Sequence, residues 1–261
     1  LAGEMGGAAF ILIYLLFLLI MGIPVLVCEF AIGRASRYSI AEAFETLEPE
    51  GTKWHWTKWI GILGSYLLMM FYTTVAGWML YYCFRNIRGD FAGAGTKEVE
   101  AGFSQMLGNA PVMGLWTFIL IAAGFGICWF GIQNGIEKVS KVMMSVLFLI
   151  MIVLAVRSVF LEGAGEGVRF YLIPDFQKMQ EIGIVIFGAM SQAFFTLSIG
   201  IVAMMIFGSY LGKERSLTGE ALSITILDTF VATMAGFIII PTCFAYGNEP
   251  GSGPSLIFLT I

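Results

Sequence analysis

The sequence predicts an all-α, polytopic membrane protein, and three observations carry that reading. Hydrophobic residues make up 58% and charged residues 12% of the 261 positions, whereas soluble domains are about half apolar and about a quarter charged. Mean hydropathy is +0.87. Apolar runs recur along the chain, and a helix of about 20 such residues crosses a hydrocarbon core about 30 Å thick. The unit to count is therefore the spanning helix.

The first run, 8–30, carries Gly22-Ile23-Pro24 before it reaches Glu29; a proline inside a membrane helix predicts a kink, not an end. The polar stretch 33–58 holds Arg34, Arg37, Lys53 and Lys58 and reads as cytoplasmic. A second run, 59–84, has the small residues Thr73, Thr74, Ala76 and Gly77, which permit close helix approach. An acidic, glycine-rich loop follows over 86–111. Runs 112–132 and 139–161, joined by a turn at Gln133-Asn134-Gly135, read as an antiparallel pair. A loop with Pro174-Asp175 leads to run 182–211, where Thr196-Leu197-Ser198-Ile199-Gly200 sits at the middle of about 30 residues. At 1.5 Å per residue that is about 45 Å, too long for a straight, untilted span. The sixth run, 217–246, contains Asp228 and, near its far end, Pro241. Alternating loops put eight Lys and Arg on the side of 33–58 and six on the other, a slight positive-inside bias.

The net charge of −4 is mild, and no dense basic run interleaved with aromatics is present, which excludes a nucleic-acid partner. Cys28, Cys83, Cys128 and Cys243 lack the spacing of a zinc site or disulfide framework and read as packing residues. His55 is the only histidine. The chain begins at Leu1 in a loop, without a signal peptide's charged region, and is expected to be a piece of a longer protein.

Asp228 is the sharpest chemical signal, because a carboxylate inside an apolar helix costs several kcal/mol unless it pairs, protonates or binds a cation. A place near the headgroups or a bond to a neighbouring helix is the alternative. The 196–200 stretch reads either as a break, freeing carbonyls for a cation and amides for an anion, or as a continuous helix whose hydroxyls bond their own backbone. Tyr72, between Leu68 and Val75 at helical spacing, puts a phenol between two apolar groups on one face, suited to a pocket or to packing. Glu29 has three open roles: a cap, an ion pair with Arg34, or a reach to a broken helix. Nucleophile elbows, paired catalytic acids and phosphate loops are all missing, so no enzyme is expected.

Residues 22–34 (GIPVLVCEFAIGR), 194–200 (FFTLSIG) and the Asp228 helix with Ala235-Gly236-Phe237 resemble the prokaryotic branch of the neurotransmitter:sodium symporter family. So do 3–10, Pro174-Asp175-Phe176 and 251–260, so the resemblance runs nearly end to end. It implies an inverted-repeat transporter fold with a broken helix, an architecture of which that family is itself the type example. The chain then forms a single transporter domain over 1–261, truncated at both ends, with its six runs as helices two to seven, Leu1 outside and 33–58 inside, in the plasma (inner) membrane.

The resemblance also implies roles. Tyr72 takes the substrate carboxylate, and Leu68, Val75, Phe195, Ser198 and Ile201 line the side-chain pocket together with Thr196. Thr196 and Asp228 ligate sodium. Tyr14, Gln192, Asp228 and Ala232 occupy positions that hold chloride in chloride-dependent relatives; a fixed carboxylate at 228 and the missing hydroxyl at 232 imply transport without chloride. Glu29, Gly135, Ser145 and Gly200 are gating or structural positions, with Ser145 in place of a proline that aids inner-gate unwinding. The implied function is sodium-coupled symport of a neutral amino acid. The alternatives are a proton-coupled amino acid transporter of a related broken-helix family and, further off, a channel.

Overall fold

A computed structural model of the chain describes residues 2–90, 96–176 and 181–247. The 251–260 motif, Leu1 and Lys178 lie outside the described residues. In chain order the helices are α1 (Ala8–Phe17), α2 (Ile23–Ser36), α3 (Ile40–Leu47), α4 (Thr57–Arg88), α5 (Thr96–Leu107), α6 (Ala110–Trp129), α7 (Lys138–Val159), α8 (Ala164–Leu172), α9 (Ile182–Thr196), α10 (Met204–Tyr210) and α11 (Leu217–Ala245). Each of the six apolar runs is helical. Five helical stretches have membrane length: Ala8–Ser36, Trp54–Arg88, Ala110–Trp129, Gly135–Val159 and Leu217–Ala245. The remaining run divides into α9 and α10.

Pro24 lies in the first turn of α2 and, as expected, does not end the stretch. Its ring would clash with the carbonyl one turn back, and a π-helical segment, Leu18–Gly22, widens the helix there between α1 and α2. Three helices lie in stretches read as loops: α3, α5 and α8. They are short and sit in polar sequence, where period and propensity compete weakly with turn residues. The expected turn at 133–135 is instead part of a π-helical segment, Ile132–Glu137. The cysteines also depart from expectation, since only Cys243 is buried. Cys28, Cys83 and Cys128 are exposed on apolar helices, where a thiol behaves as one more small hydrophobe.

The chain forms two compact units, one of Leu1–Tyr66 with Ala155–Gly251 and one holding Leu67–Leu154. In the first, Phe10, Tyr14, Leu18, Leu26 and Phe30 pack with Val185, Ala189, Ala193, Leu197 and Ile199 and with Ala221 of α11. Two glycines bring α2 and α10 into backbone contact. A Cβ at Gly33 would collide with the Met205 carbonyl, and one at Gly208 would lie 2.7 Å from the Phe30 carbonyl. The Ser36 end of α2 is tied down by Arg34, which donates to the Arg215 carbonyl at 2.8 Å, and Arg37, which donates to the Ser209 carbonyl at 2.9 Å. At the other end of this unit α8 lies on α11, with the Tyr171 hydroxyl in the notch left by Gly236 and donating to the Thr233 carbonyl at 3.1 Å.

In the second unit α4 and α6 approach closely where Gly77 faces Thr117. Aromatic rings hold α5 over the Arg88 end of α4. Phe103 meets Trp78 and Tyr82, each with ring centroids 6.1 Å apart, and Trp116 of α6 meets Tyr81 at 5.9 Å and Phe84 at 5.2 Å.

Candidate functional site: a broken helix held by two carboxylates

Run 182–211 breaks over Leu197–Ala203. α9 stops at Thr196, and regular helix resumes only at Met204. Three residues inside the break have positive φ: Ser198 at 52°, Gly200 at 85° and Val202 at 56°. Glycine adopts that region without cost, but a β-branched valine there is a genuine outlier, of the kind that concentrates at binding and switch regions. The break spans seven residues, so it extends past the 196–200 stretch that the sequence singles out. It settles the open choice there against a continuous helix.

An interrupted helix exposes amides and carbonyls that need partners, and in an apolar interior an unmet one costs several kcal/mol. Glu29 supplies one. Its Oε1 accepts the Gly200 N–H at 2.7 Å, and the residue is only 5% exposed. The close approach of α2 to α10 at Gly33 and Gly208 sets the depth of that carboxylate. Of the three roles left open for Glu29, the structure shows the reach to the broken helix. Arg34 turns instead to the backbone at Arg215. The second oxygen, Oε2, is buried with no partner among the described residues.

Asp228 supplies the second anchor. Thr196 Oγ1, on the last residue of α9, donates to Asp228 Oδ2 at 2.9 Å. The Tyr14 hydroxyl from α1 is buried beside Thr196, Thr229 and Asp228, yet makes no hydrogen bond of ordinary length. Gln192 lies one turn before Thr196 and is half-buried; Ala232 lies one turn after Asp228 and is exposed. Three elements therefore converge on one point: α1, the end of α9 and α11. They gather a carboxylate and three hydroxyls, an all-oxygen set suited to a hard cation. Among the described residues no three His, Cys, Asp or Glu side chains group as they would for a transition metal.

The other predicted positions divide between the two units. Beside the break, Ser198 and Ile201 are half-buried and Phe195 is 49% exposed. The Ile201 side chain packs over Gly64 of α4, and Ser65 Oγ donates to the Ile201 carbonyl at 3.4 Å. In the second unit Leu68, Tyr72 and Val75 share a face of α4, with Leu68 and Val75 half-buried and Tyr72 43% exposed. Gly135 is buried in the π-helical segment, close to the Ile127 carbonyl. Ser145 lies inside an unbroken α7, where its Oγ donates to the Lys141 carbonyl at 2.8 Å.

Two features at the site, Thr229 and the backbone of Val202, and a hydroxyl pair farther along α11 were not read from the sequence. Thr229 faces Tyr14 and carries no signal apart from its neighbour Asp228. Ser158 of α7 donates to the Ile238 carbonyl at 2.9 Å and lies 2.8 Å from Thr242 Oγ1, beside Pro241. A proline in an apolar helix with a hydroxyl next to it was the available clue. The strained φ of Val202 had none.

A membrane helix broken at mid-run, with an amide on a buried carboxylate and a hydroxyl–carboxylate pair at the break, is the discontinuous-helix arrangement of transporter folds. The chain belongs to the sodium:neurotransmitter symporter family, whose family model matches residues 1–98 and 98–247. This is a family of transporters, not of enzymes. Over the whole chain it is 37% identical to an uncharacterized sodium-dependent transporter of Bacillus subtilis, YhdH, covering 57% of that protein. It is 34% identical to an uncharacterized sodium-dependent transporter of Haemophilus influenzae, covering 59% of it. The crystal structure of MhsT in complex with L-phenylalanine superposes with a TM-score of 0.91 at 38% identity, over 99% of this chain and 58% of that one. The chain thus spans a little under three fifths of the length of these relatives, and its fold is that of the corresponding part of MhsT.

Proposed function

We propose that this chain is the part of a sodium-coupled symporter that forms much of the central site for a neutral amino acid, in the plasma membrane, working by alternating access without chloride. The observation that carries this reading is the Thr196–Asp228 hydrogen bond at the helix break. A sodium ion arriving there would be met by Asp228 and Thr196. The carboxylate offsets its charge, so no anion has to be bound with it. Tyr14, Gln192 and Ala232 mark where an anion would sit in its place, and Ala232 offers it no hydroxyl.

The substrate takes the rest of the site. By the family resemblance, Tyr72 supplies a phenol for its carboxylate. Leu68, Val75, Phe195, Ser198 and Ile201 offer a mostly apolar lining with one hydroxyl, which favours a side chain without charge. The sodium-dependent names of the relatives and the L-phenylalanine bound by MhsT support an amino acid and sodium as the pair carried. Sodium and substrate binding then reinforce one another, because both stabilise the same arrangement of the break.

The test is uptake of a panel of labelled amino acids into proteoliposomes holding the full-length protein, with and without sodium and chloride gradients. The expected outcome is sodium-driven uptake of neutral amino acids that is indifferent to chloride. Uptake driven by a pH gradient without sodium would transfer Asp228 to proton coupling in a related broken-helix mechanism. Currents far above a stoichiometric cycle would make the protein a channel.

A further inference from the structure

The second unit holds a pocket that the transport site does not use. It has a volume of about 330 Å³ and lies at the Arg88 end of α4, walled by α5 and the start of α6. That volume is within the range of small-molecule sites, about 300–1,000 Å³. Among the described residues two guanidiniums and one carboxylate line it. Arg85 Nε donates to Asp90 at 2.9 Å, and its guanidinium lies over the Tyr81 ring at 5.9 Å. Asp90 is thereby engaged with Arg85. Arg88 lies over the Phe84 ring at 5.7 Å, and its Nε is 3.9 Å from Asp90, beyond hydrogen-bond reach. Among the described residues the pocket keeps one positive charge in excess.

The remaining polar groups in it have donors to offer. Asn109 caps α6, its Oδ1 accepting the Val112 N–H at 3.3 Å, which leaves the side-chain NH₂ for another partner. Gln105 has no side-chain hydrogen bond among the described residues and lines the same space. A guanidinium and two amide groups around one cavity call for a singly charged oxyanion.

Depth in the membrane narrows the choice. α4 has 32 residues, roughly 48 Å at 1.5 Å per residue, whereas the bilayer is about 40–45 Å thick with its headgroups included. Its last turn therefore reaches headgroup depth. The rings of Tyr81, Tyr82, Phe84 and Trp116 just below it form the aromatic belt expected at that boundary.

We propose that this pocket holds the headgroup of an anionic phospholipid, with the phosphodiester on Arg88, Gln105 and Asn109 and the glycerol against Phe84. One phosphodiester charge matches the one excess guanidinium.

The experiment is native mass spectrometry of the full-length protein titrated with dioleoyl phosphatidylglycerol or dioleoyl phosphatidylcholine, with inorganic phosphate as a separate arm. Wild type is expected to retain phosphatidylglycerol in preference to phosphatidylcholine. Arg88→Gln should weaken that retention about fivefold to tenfold, as the loss of one cation at a membrane surface implies. Gln105→Ala, an exposed change that does not threaten folding, should weaken it about twofold to threefold. Arg157→Gln, at the end of a different helix, should leave it unchanged. Equal retention of the two lipids, or equal losses in the Arg88 and Arg157 variants, overturns the proposal. Displacement of the lipid by inorganic phosphate at matching concentration overturns the lipid assignment and makes the pocket a soluble-anion site.

Discussion

The two helical runs that meet at the Thr196–Asp228 pair treat helix breakers in opposite ways. α11 contains Pro241 and still runs without interruption from Leu217 to Ala245. Run 182–211 contains no proline and yet unwinds over seven residues. The difference lies in what the partners are. Around Pro241, the Ser158 hydroxyl from α7 and the Thr242 hydroxyl from the helix itself both bond the Ile238 carbonyl, and the helix keeps its course. At the break, a carboxylate from another helix takes the Gly200 amide and a second takes the Thr196 hydroxyl. Buried carboxylates that take its donors open a membrane helix more effectively than a breaker residue within it.

The largest test of that comparison is Glu29→Ala, which removes the acceptor of the Gly200 amide. Losing one member of a buried charged hydrogen bond costs about 2–5 kcal/mol, so transport by the full-length protein should fall by roughly 30-fold or more. Glu29→Gln keeps an acceptor and should lose about tenfold less. Uptake assays on both decide it; a Glu29→Ala protein with wild-type uptake would show that the break holds without its carboxylate.

Ser145→Pro comes next, because it asks whether a breaker alone can open α7. The substitution removes one backbone bond and clashes with the Lys141 carbonyl that Ser145 Oγ now meets, at a cost of about 3 kcal/mol. Hydrogen exchange should rise around 138–145 while the rest of the protein is unchanged. If instead exchange stays at wild-type levels, α7 has the same local support as α11.

Gly208→Ala sharpens the geometric half of the argument. Its Cβ would meet the Phe30 carbonyl at 2.7 Å, so α10 must shift from α2 and carry the break away from Glu29. Overpacking of this kind costs about 1–3 kcal/mol, read as a lower melting temperature and weaker uptake together. The smallest effect is expected from Val202→Gly. A non-glycine residue in the left-handed region costs about 1–2 kcal/mol, part of which glycine returns through its looser unfolded chain. The variant should melt slightly higher than wild type, and a lower melting temperature would mean that the Val202 side chain contributes packing that outweighs its strain.

Much of this was legible in the sequence, for reasons tied to particular residues. Six apolar runs and a helix that continues through Pro24 follow from composition and from the tolerance of membrane helices for proline. Asp228 stood out because an isolated carboxylate in lipid needs a reason. Thr196, Ser198 and Gly200 suggested a break but left a continuous helix equally open, since hydroxyls serve either state. What could not be read was partnership. Glu29 had three possible roles, and only the packing of α2 on α10 selects one. The helices α3, α5 and α8 were hidden by short length and polar surroundings, and the π-helical segment at Ile132–Glu137 by its resemblance to a turn.

Sodium held by Asp228 and Thr196, as proposed, would add its binding energy to the stability of the folded protein. The most direct measurement is the melting temperature of the full-length protein in sodium against potassium at equal ionic strength, for wild type and Asp228→Asn. A ligand that binds only the folded state at a hundred times its Kd adds about 2.7 kcal/mol of stability. Wild type should therefore melt several degrees higher in sodium, and Asp228→Asn should lose most of that gain. A sodium shift of the same size in both proteins would place the ion elsewhere and contradict the account.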